Sequence, residues 1–272
     1  MLYFIEPKEE IFPEKQILEV AMKDLLDVHI HTIASIHAYS TIRESIAAAK
    51  ERGLELVGIS DHGPALPGSI HEMYFRNFKV IRDKDFGIGV VMGVELNIMD
   101  FSGSTDLRED TIKRLDYAIA SLHDLCITPG TVEQNTAAII GAMRNPYVKI
   151  IGHPDNPQYP VDFDVIARAA KENHVLLEAN NSSYVSTGSR AGSREKAAEL
   201  LAACKRCGTM VIMGSAAHID LDVGNHASSR EVIEAAGFPE ELVINRDAAA
   251  FLDFITRQEM SPNLCRWGDG CK

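Results

Sequence analysis

Asp27-Val28-His29-Ile30-His31-Thr32 closes a short apolar run that begins at Leu25. His29 and His31 stand two residues apart, and in a β-strand residues at this spacing point to the same face. Both imidazoles therefore leave one side of one strand end together. Imidazole is the commonest metal-ligating side chain, so the pair indicates a metal site, although a lone His-x-His also arises by chance.

Five further apolar segments end on a residue type that binds metals. They end at Asp61-His62, Glu95, His123, His153 and His218. In a parallel α/β barrel the carboxyl ends of different strands meet on one face, so residues far apart in sequence can converge on one pocket. Random scatter would not place so many histidines at the ends of apolar runs. The pattern favours one metal site over separate structural histidines.

Seven apolar segments alternate with segments of helical periodicity. The predicted strands span 25–30, 54–60, 88–96, 115–122, 148–152, 175–179 and 210–214, and the predicted helices span 41–52, 71–85, 131–143, 163–173, 193–206 and 248–255. Residues 106–113 are a weaker helix candidate, and 243–245 resemble a short edge segment. Seven strands joined by helices are typical of a barrel, although the count alone leaves a doubly wound sheet open.

Motifs spread along the chain resemble, in order, those of the polymerase and histidinol phosphatase (PHP) superfamily. They are Asp27-Val28-His29-Ile30-His31-Thr32, Ala38-Tyr39-Ser40-Thr41, Ser60-Asp61-His62-Gly63-Pro64, Glu95, Ser121-Leu122-His123, Gly152-His153-Pro154 and Gly214-Ser215-Ala216-Ala217-His218. They are most similar to its stand-alone phosphatase branch, the YcdX-like group. The resemblance implies the α/β class and a single-domain distorted (β/α)7 barrel of PHP type. On this basis residues 1–24 are an extension expected to be helical, 25–256 the barrel and 257–272 a tail expected to be mobile.

The resemblance also implies a trinuclear metal centre and its ligands. His29, His31 and Glu95 would hold the first metal, Glu95 would bridge to a second held by His123 and His153, and His37, His62 and His218 would hold the third. Histidine-rich shells with few oxygens suit Zn²⁺, Mn²⁺ or Fe²⁺ better than Mg²⁺ or Ca²⁺. A metal-bound hydroxide at such a centre would attack phosphorus, so the expected reaction is hydrolysis of a small phosphomonoester.

Further site residues are expected around this centre. Glu95, His218 and Asp61 are the catalytic candidates, and Asp61 is expected to orient a neighbouring histidine. Arg190, and after it Arg194, follow the sixth strand in a loop that resembles the substrate loop of the family. We expect them to contact phosphate, because a guanidinium binds phosphate through two parallel hydrogen bonds.

Ala216 departs from the pattern, because the family has an Asp there that would be the fourth ligand of the first metal. Ala216 has no ligand atom, so lower affinity for that metal is expected, with impaired catalysis as its consequence. Ile36, where the family often has Gly, is a lesser departure. Two alternatives stay open: a non-catalytic metal-containing protein that binds a phosphorylated ligand, and a metal-dependent amidohydrolase. The second usually needs a late barrel carboxylate, and that position is Ala216.

Composition limits the remaining classes. A chain of 272 residues with 46% hydrophobic residues suits one α/β barrel. With 27 basic and 39 acidic residues, the net charge of −12 disfavours nucleic acid and hence a nuclease or proofreading module.

No long apolar run or secretory signal is visible, and five cysteines show no repeated spacing. We therefore expect a cytoplasmic protein with reduced thiols and a small phosphorylated partner, without a membrane partner; a homo-oligomer is left open.

The remaining histidines have no partner that the sequence identifies. They are His71, His174 and His226. We predict that all three lie on the surface.

Overall fold

Parallel strands and helices alternate along residues 24–82, 84–185 and 190–256, the part of the chain that this computed structural model describes. The strands are β1 (Leu26–Asp27), β2 (Leu56–Ile59), β3 (Gly89–Met92), β4 (Glu95–Asn97), β5 (Ala118–Ser121), β6 (Val148–Ile151), β7 (Leu176–Asn180) and β8 (Val211–Gly214). The α-helices are α1 (Ile42–Glu51), α2 (Met73–Arg76), α3 (Lys79–Arg82), α4 (Glu109–Ile112), α5 (Val132–Met143), α6 (Phe163–Glu172), α7 (Ser193–Cys207), α8 (Ala227–Ala235) and α9 (Ala248–Thr256).

The strands form two parallel groups, β1-β2-β3 and β4-β5-β6-β7-β8. Two isolated parallel bridges connect the groups, one between His62 and Glu95 and one between Ile30 and Ala217. We call these bridges the two joins of the barrel. They close the strands into a ring in which β3 and β4 are two parts of one interrupted strand. The predicted α/β class and distorted (β/α)7 barrel are confirmed.

The interruption lies at Gly93. A Cβ atom there would lie 2.5 Å from Cζ of the Tyr117 ring, which leaves no room for a side chain. Tyr117 is itself fixed, because it is buried and its hydroxyl donates to the Val28 carbonyl at 2.6 Å. Before the break the chain pairs with β2, and Glu95 beyond it pairs with β5 on one side and bridges to His62 on the other. The break thus places Glu95 between two parts of the barrel.

Apolar side chains pack on both faces of the sheet. The inner cluster combines the inward face of most strands with helix α9; it includes Leu26, Val28, Leu56, Val91, Tyr117, Ile119, Ile150, Leu176, Ile212, Phe251, Phe254 and Ile255. The outer cluster packs α1 and α5–α8 against the other face. Because α9 packs at the amino-terminal ends of the strands, the polar residues at the carboxyl ends are left at the opposite end.

The observed elements agree with the predicted ones to within a few residues, with three differences. The segment 88–96 forms two strands, 71–85 forms two short helices, and α8 has no counterpart among the predicted elements. Val243, in the predicted edge segment, forms a single bridge with Val211. Cys126, Cys204 and Cys207 are free thiols.

The predicted extension, apart from Asp24, and the predicted tail lie outside the described residues. The domain boundaries therefore stay predictions. No helix within the described ranges combines the length and apolar character needed to cross a bilayer.

Candidate metal centre

Glu95 lies at the centre of a polar cluster at the carboxyl ends of the strands. Its carboxylate is buried, and five histidines approach it within 3.5 Å. Nitrogens of His29, His123 and His153 lie 3.4, 3.3 and 3.1 Å from Oε1, and nitrogens of His31 and His62 lie 3.5 and 2.8 Å from Oε2. One carboxylate whose two oxygens face different histidines has the geometry of a ligand shared between cations.

Two of these histidines are held from behind by polar side chains. His29 Nδ1 lies 2.6 Å from Glu178 Oε1, and His123 Nδ1 lies 2.6 Å from Asn97 Oδ1. Each contact leaves Nε2 directed at Glu95. Partners of this kind fix the tautomer and the ring orientation of metal-ligating histidines.

His37 and His218 lie beside the Glu95 cluster. Their Nε2 atoms are 2.8 Å apart, and His218 Nδ1 lies 2.8 Å from the carbonyl oxygen of Ala216. The ring centroids of His31 and His218 are 4.4 Å apart, so the two groups adjoin. The backbone at Ala216 has a φ of 49°, a left-handed conformation that Asp and Asn adopt more readily than Ala. The position therefore has a backbone suited to the Asp that the family pattern places there.

Burial keeps several of these histidines neutral. It lowers the pKa of His31 well below its ordinary value and lowers the pKa of His218 to about 4. Burial and then the positive charge of Arg190 lower the pKa of His153 to about 3. Neutral imidazole is the form that binds metals, so these side chains are ready to act as ligands at neutral pH.

The carboxylates of the cluster stay ionised in spite of burial. Burial opposes the charge on Glu95, but His29, His123 and His62 hold its pKa well below the usual range. Burial likewise disfavours a charged His29, but Glu178 and Glu95 outweigh it and raise the pKa of His29 to about 10. A cation at this position would replace the proton on His29.

Three polar atoms of the cluster are buried without a well-aligned hydrogen bond in the described chain, although His62 and His123 lie at ion-pair distance from Glu95: His62 Nδ1, Glu95 Oε2 and His123 Nε2. Such atoms cost about 1–3 kcal/mol each when nothing satisfies them. Three sets of side chains bring ligand atoms within 4.8 Å of one another: His29, His31 and Glu95; His62, Glu95 and His123; and His31, His62 and His218. The residues therefore fit divalent metal ions. The first set is the one that the family resemblance implies for the first metal. The other two sets differ from the expected ligands of the second and third metals, because His62 joins Glu95 and His123, and His31 joins His62 and His218.

Asp61 lies behind the cluster. Its carboxylate accepts hydrogen bonds from Thr32 N at 2.7 Å, Thr32 Oγ1 at 2.8 Å, Ser35 Oγ at 2.7 Å and the Tyr74 hydroxyl at 2.7 Å. Ser35 Oγ in turn lies 3.3 Å from His31 Nδ1. These contacts favour a positioning role for Asp61, through Ser35, over direct participation in catalysis.

The two arginines lie in different places. Arg190 lines the cavity of about 610 Å³ that also contains Glu95 and the clustered histidines, and its Nη1 donates to Ser183 Oγ at 3.2 Å. Arg194 lines a separate cavity and pairs with Glu231 at 2.7 Å. The structure thus brings Arg190, but not Arg194, to the candidate metal centre.

Three polar residues of the centre were not identified by sequence reasoning: Glu178, Asn97 and Ser121. Ser121 Oγ donates to Glu95 Oε1 at 2.7 Å. Asn97 stands two residues after Glu95, so the alternation that pairs His29 with His31 points to it, and Ser121 is likewise two residues before His123. Glu178 is a charged residue inside a predicted apolar strand, which was the available signal.

The prediction of surface positions is wrong for His226. His71 is exposed and His174 is half-buried, whereas His226 is buried. His226 Nδ1 lies 3.4 Å from Asp24 Oδ2, and Nε2 lies 3.6 Å from Asp27 Oδ1. The partners are about 200 positions away in the sequence, so no local pattern reveals them.

A closed parallel barrel with a histidine and carboxylate cluster at the carboxyl ends of its strands defines a class, the metal-dependent hydrolases. The PHP domain family matches residues 27–256 of the chain. The chain belongs to the PHP family, as the motifs indicate.

Relatives that align over nearly their whole length support this placement. A "probable phosphatase" of Clostridium novyi (strain NT) is 45% identical over 234 residues, covering 86% of this chain and 95% of that protein. Another of Thermoanaerobacter sp. (strain X514) is 46% identical over 239 residues, covering 88% and 97%. A solved structure of histidinol phosphate phosphatase from Lactococcus lactis subsp. lactis, complexed with zinc, L-histidinol and phosphate, has a TM-score of 0.53 at 18% identity, covering 79% and 95%. This last likeness concerns the fold.

Proposed function

We propose that the chain is a metal-dependent phosphatase that hydrolyses small phosphomonoesters at a centre of three divalent transition-metal ions. The observation that carries the proposal is the buried Glu95 carboxylate with five histidine nitrogens within 3.5 Å. The relatives named as phosphatases support phosphorus as the site of attack. Zn²⁺, Mn²⁺ and Fe²⁺ are the candidates, because nitrogen ligands outnumber oxygen ligands.

The proposed ligands are the clustered side chains. They are His29, His31, His37, His62, Glu95, His123, His153 and His218. When bound, divalent metals supply activation of water and neutralisation of phosphoryl charge. Arg190 lines the same cavity and binds the substrate phosphate through its guanidinium. Asp61 holds Ser35, and through it His31, in place.

Ala216 bears on how active this chain is. It lines the cavity but offers no side-chain ligand atom, so the metal held by His29, His31 and Glu95 lacks the fourth protein ligand implied by the family pattern. The positive φ at this position suits Asp, so an Asp can be restored without forcing the backbone.

The Ala216→Asp variant restores the ligand atom that the family pattern places here. With Zn²⁺ or Mn²⁺ supplied, we expect the variant to release phosphate from small phosphomonoesters at least about tenfold faster, because even outer partners of metal ligands are worth about 10- to 100-fold. The measurement is phosphate release from a panel of monoesters, with bound metal counted in parallel. Ala216→Gly is the matched control, since it relieves the positive φ without adding a ligand.

The outcomes separate the alternatives. Activity in the original chain as well would mean that three protein ligands suffice for the first metal. A gain in Ala216→Gly equal to that in Ala216→Asp would contradict the ligand argument. If the original chain and Ala216→Asp both bind metal and phosphate but neither turns over any monoester, the phosphatase proposal would be wrong and the role of a phospho-ligand binding protein would be favoured.

A further inference from the structure

The cavity at the metal centre has a second, apolar wall. One part of the lining is polar and consists of the histidines and Glu95. The other part is apolar and is formed by Ile36, Leu66, Pro67 and Leu125. We call these four side chains the apolar wall. Ile36 directly precedes the proposed ligand His37, and Leu125 follows His123 by two residues. The apolar wall is therefore adjacent to the proposed metal ligands.

Two members of the wall are unusually exposed for apolar residues. The side chains of Ile36 and Leu125 are 61% and 66% exposed. Leaving such side chains in water forgoes the free energy that burial would provide. Exposed apolar side chains that line a cavity, rather than being scattered over the surface, are a feature of ligand-binding sites.

The wall rests on an anchored loop. Ile36 covers Gly68, since a Cβ atom at Gly68 would lie 2.2 Å from Ile36 Cδ1. Gly68 belongs to the loop 63–70, which contacts the barrel through two hydrogen bonds. Ala65 N donates to Asp106 Oδ2 at 2.9 Å, and Ser69 Oγ donates to the His62 carbonyl at 2.7 Å. The apolar surface is therefore held in place next to the metal-binding histidines.

The charges of the cavity limit the other part of the ligand. Arg190 is the one Lys or Arg among the described residues that line it. Apart from the proposed metal ions, this single guanidinium is the cation available, and it matches one phosphate group. Among the described lining residues other than the proposed ligands and Arg190, Ser182 and Asp124 are the ones with polar side chains.

We propose that the substrate carries a single phosphate on an apolar organic group, alkyl or aryl, which lies against Ile36, Leu66, Pro67 and Leu125. This assignment rests on the proposed phosphatase function and names its substrate class. The apolar wall sets specificity, while Arg190 and the metal centre hold the phosphate.

Phosphonates test the assignment without turnover, because their carbon–phosphorus bond is not hydrolysed by phosphatase chemistry. The Zn²⁺-loaded protein is titrated calorimetrically with methylphosphonate and with phenylphosphonate. We expect phenylphosphonate to bind roughly tenfold more tightly, from the apolar area that the ring buries. Ile36→Ser and Leu125→Ser should each reduce this ratio by several-fold.

Ile33→Ser is the matched control, because Ile33 lies in the same loop and is 60% exposed but does not line the cavity. It should leave the ratio unchanged. Equal affinity for the two phosphonates, or an equal loss of the ratio in Ile33→Ser, would overturn the substrate assignment while leaving the phosphatase proposal in place. Failure to bind either phosphonate, together with no turnover of any monoester by Ala216→Asp, would instead overturn the phosphatase function and the substrate class with it.

Discussion

Glu178 shows how one side chain outside the ligand set controls the geometry of the centre. Its Oε1 lies 2.6 Å from His29 Nδ1, and its Oε2 accepts hydrogen bonds from His153 N at 2.9 Å and Asn180 Nδ2 at 3.1 Å. Burial opposes its charge, but His29 lowers its pKa, so it stays ionised. Glu178 therefore fixes two proposed ligands from strands on different parts of the barrel.

Replacing this carboxylate should weaken metal binding. Glu178→Gln keeps the shape but removes the charge that holds the His29 tautomer, so we expect a loss of about 10- to 100-fold in metal affinity. Competition with a chelator of known affinity measures the change. Glu172→Gln, an exposed substitution at the end of α6, should leave the affinity as it is. An unchanged affinity in Glu178→Gln would show that packing alone orients His29.

Among single residues, the sequence identifies those whose position at the end of an apolar run is itself informative. His29, Glu95 and His123 end apolar runs, and this placement was enough to find them. The sequence does not identify Glu178 as the partner of His29, because the two lie 149 positions apart and meet only when β7 and β1 are placed in the ring. The sequence also does not show that Arg194 pairs with Glu231, because this pairing depends on where α8 packs.

Among the elements, the interrupted third strand has the largest effect on the centre. Gly93 leaves the space that the Tyr117 ring occupies, and beyond it the chain pairs with β5 while it keeps a single bridge to His62. Glu95 stands two residues beyond Gly93. A strand that stayed paired with β2 alone would not bring the Glu95 carboxylate between histidines of both groups of strands.

Gly93→Ala should therefore destabilise the fold. The added methyl group would overlap the fixed Tyr117 ring, and overpacking of this kind costs about 1–3 kcal/mol. Urea unfolding measures the loss in the free energy of unfolding. In the double variant with Tyr117→Leu the overlap is relieved, so the combined cost should fall below the sum of the single costs. Strict additivity would mean that the ring does not cause the effect.

The elements themselves were largely predictable, because apolar periodicity is a local property. Thr41 and Glu44 form the capping box that starts α1, at the predicted position. The break at Gly93 was not predictable, since every residue from Ile88 to Leu96 except Gly93, Gly89 and Glu95 is apolar and the run reads as one strand. The contact between Gly93 and Tyr117 at the break is tertiary and has no local signature in the sequence.

For the molecule as a whole, a buried ion cluster joins the first strand to the last part of the barrel. His226, at the start of α8, lies between Asp24 and Asp27. Asp27 also accepts hydrogen bonds from Ser215 N at 3.2 Å and Gly224 N at 2.8 Å. Burial opposes protonation of His226, but the two carboxylates outweigh it and raise its pKa from 6.5 to about 9.

This pKa shift makes stability depend on pH. The folded state binds the His226 proton more tightly than the unfolded chain, so the stabilisation is complete below pH 6.5 and is lost as the pH rises through about 9. It amounts to at most about 3 kcal/mol. The free energy of unfolding of the protein and of His226→Gln, measured from pH 6 to 10, should differ most at pH 6 and converge toward pH 10. His71→Gln, at an exposed position, should show no such convergence, and a pH-independent difference for His226→Gln would contradict the assignment.

The two joins of the barrel have a consequence for how the protein responds to its surroundings. One join pairs His62 with Glu95, and the other pairs Ile30, between His29 and His31, with Ala217, next to His218. The two single bridges that close the ring thus lie at or next to its proposed metal ligands. Cations bound there would hold the two groups of strands together, so the free energy of metal binding would contribute to the stability of the closed barrel. Bound metal would then raise the free energy of unfolding of the protein as well as enable its catalysis.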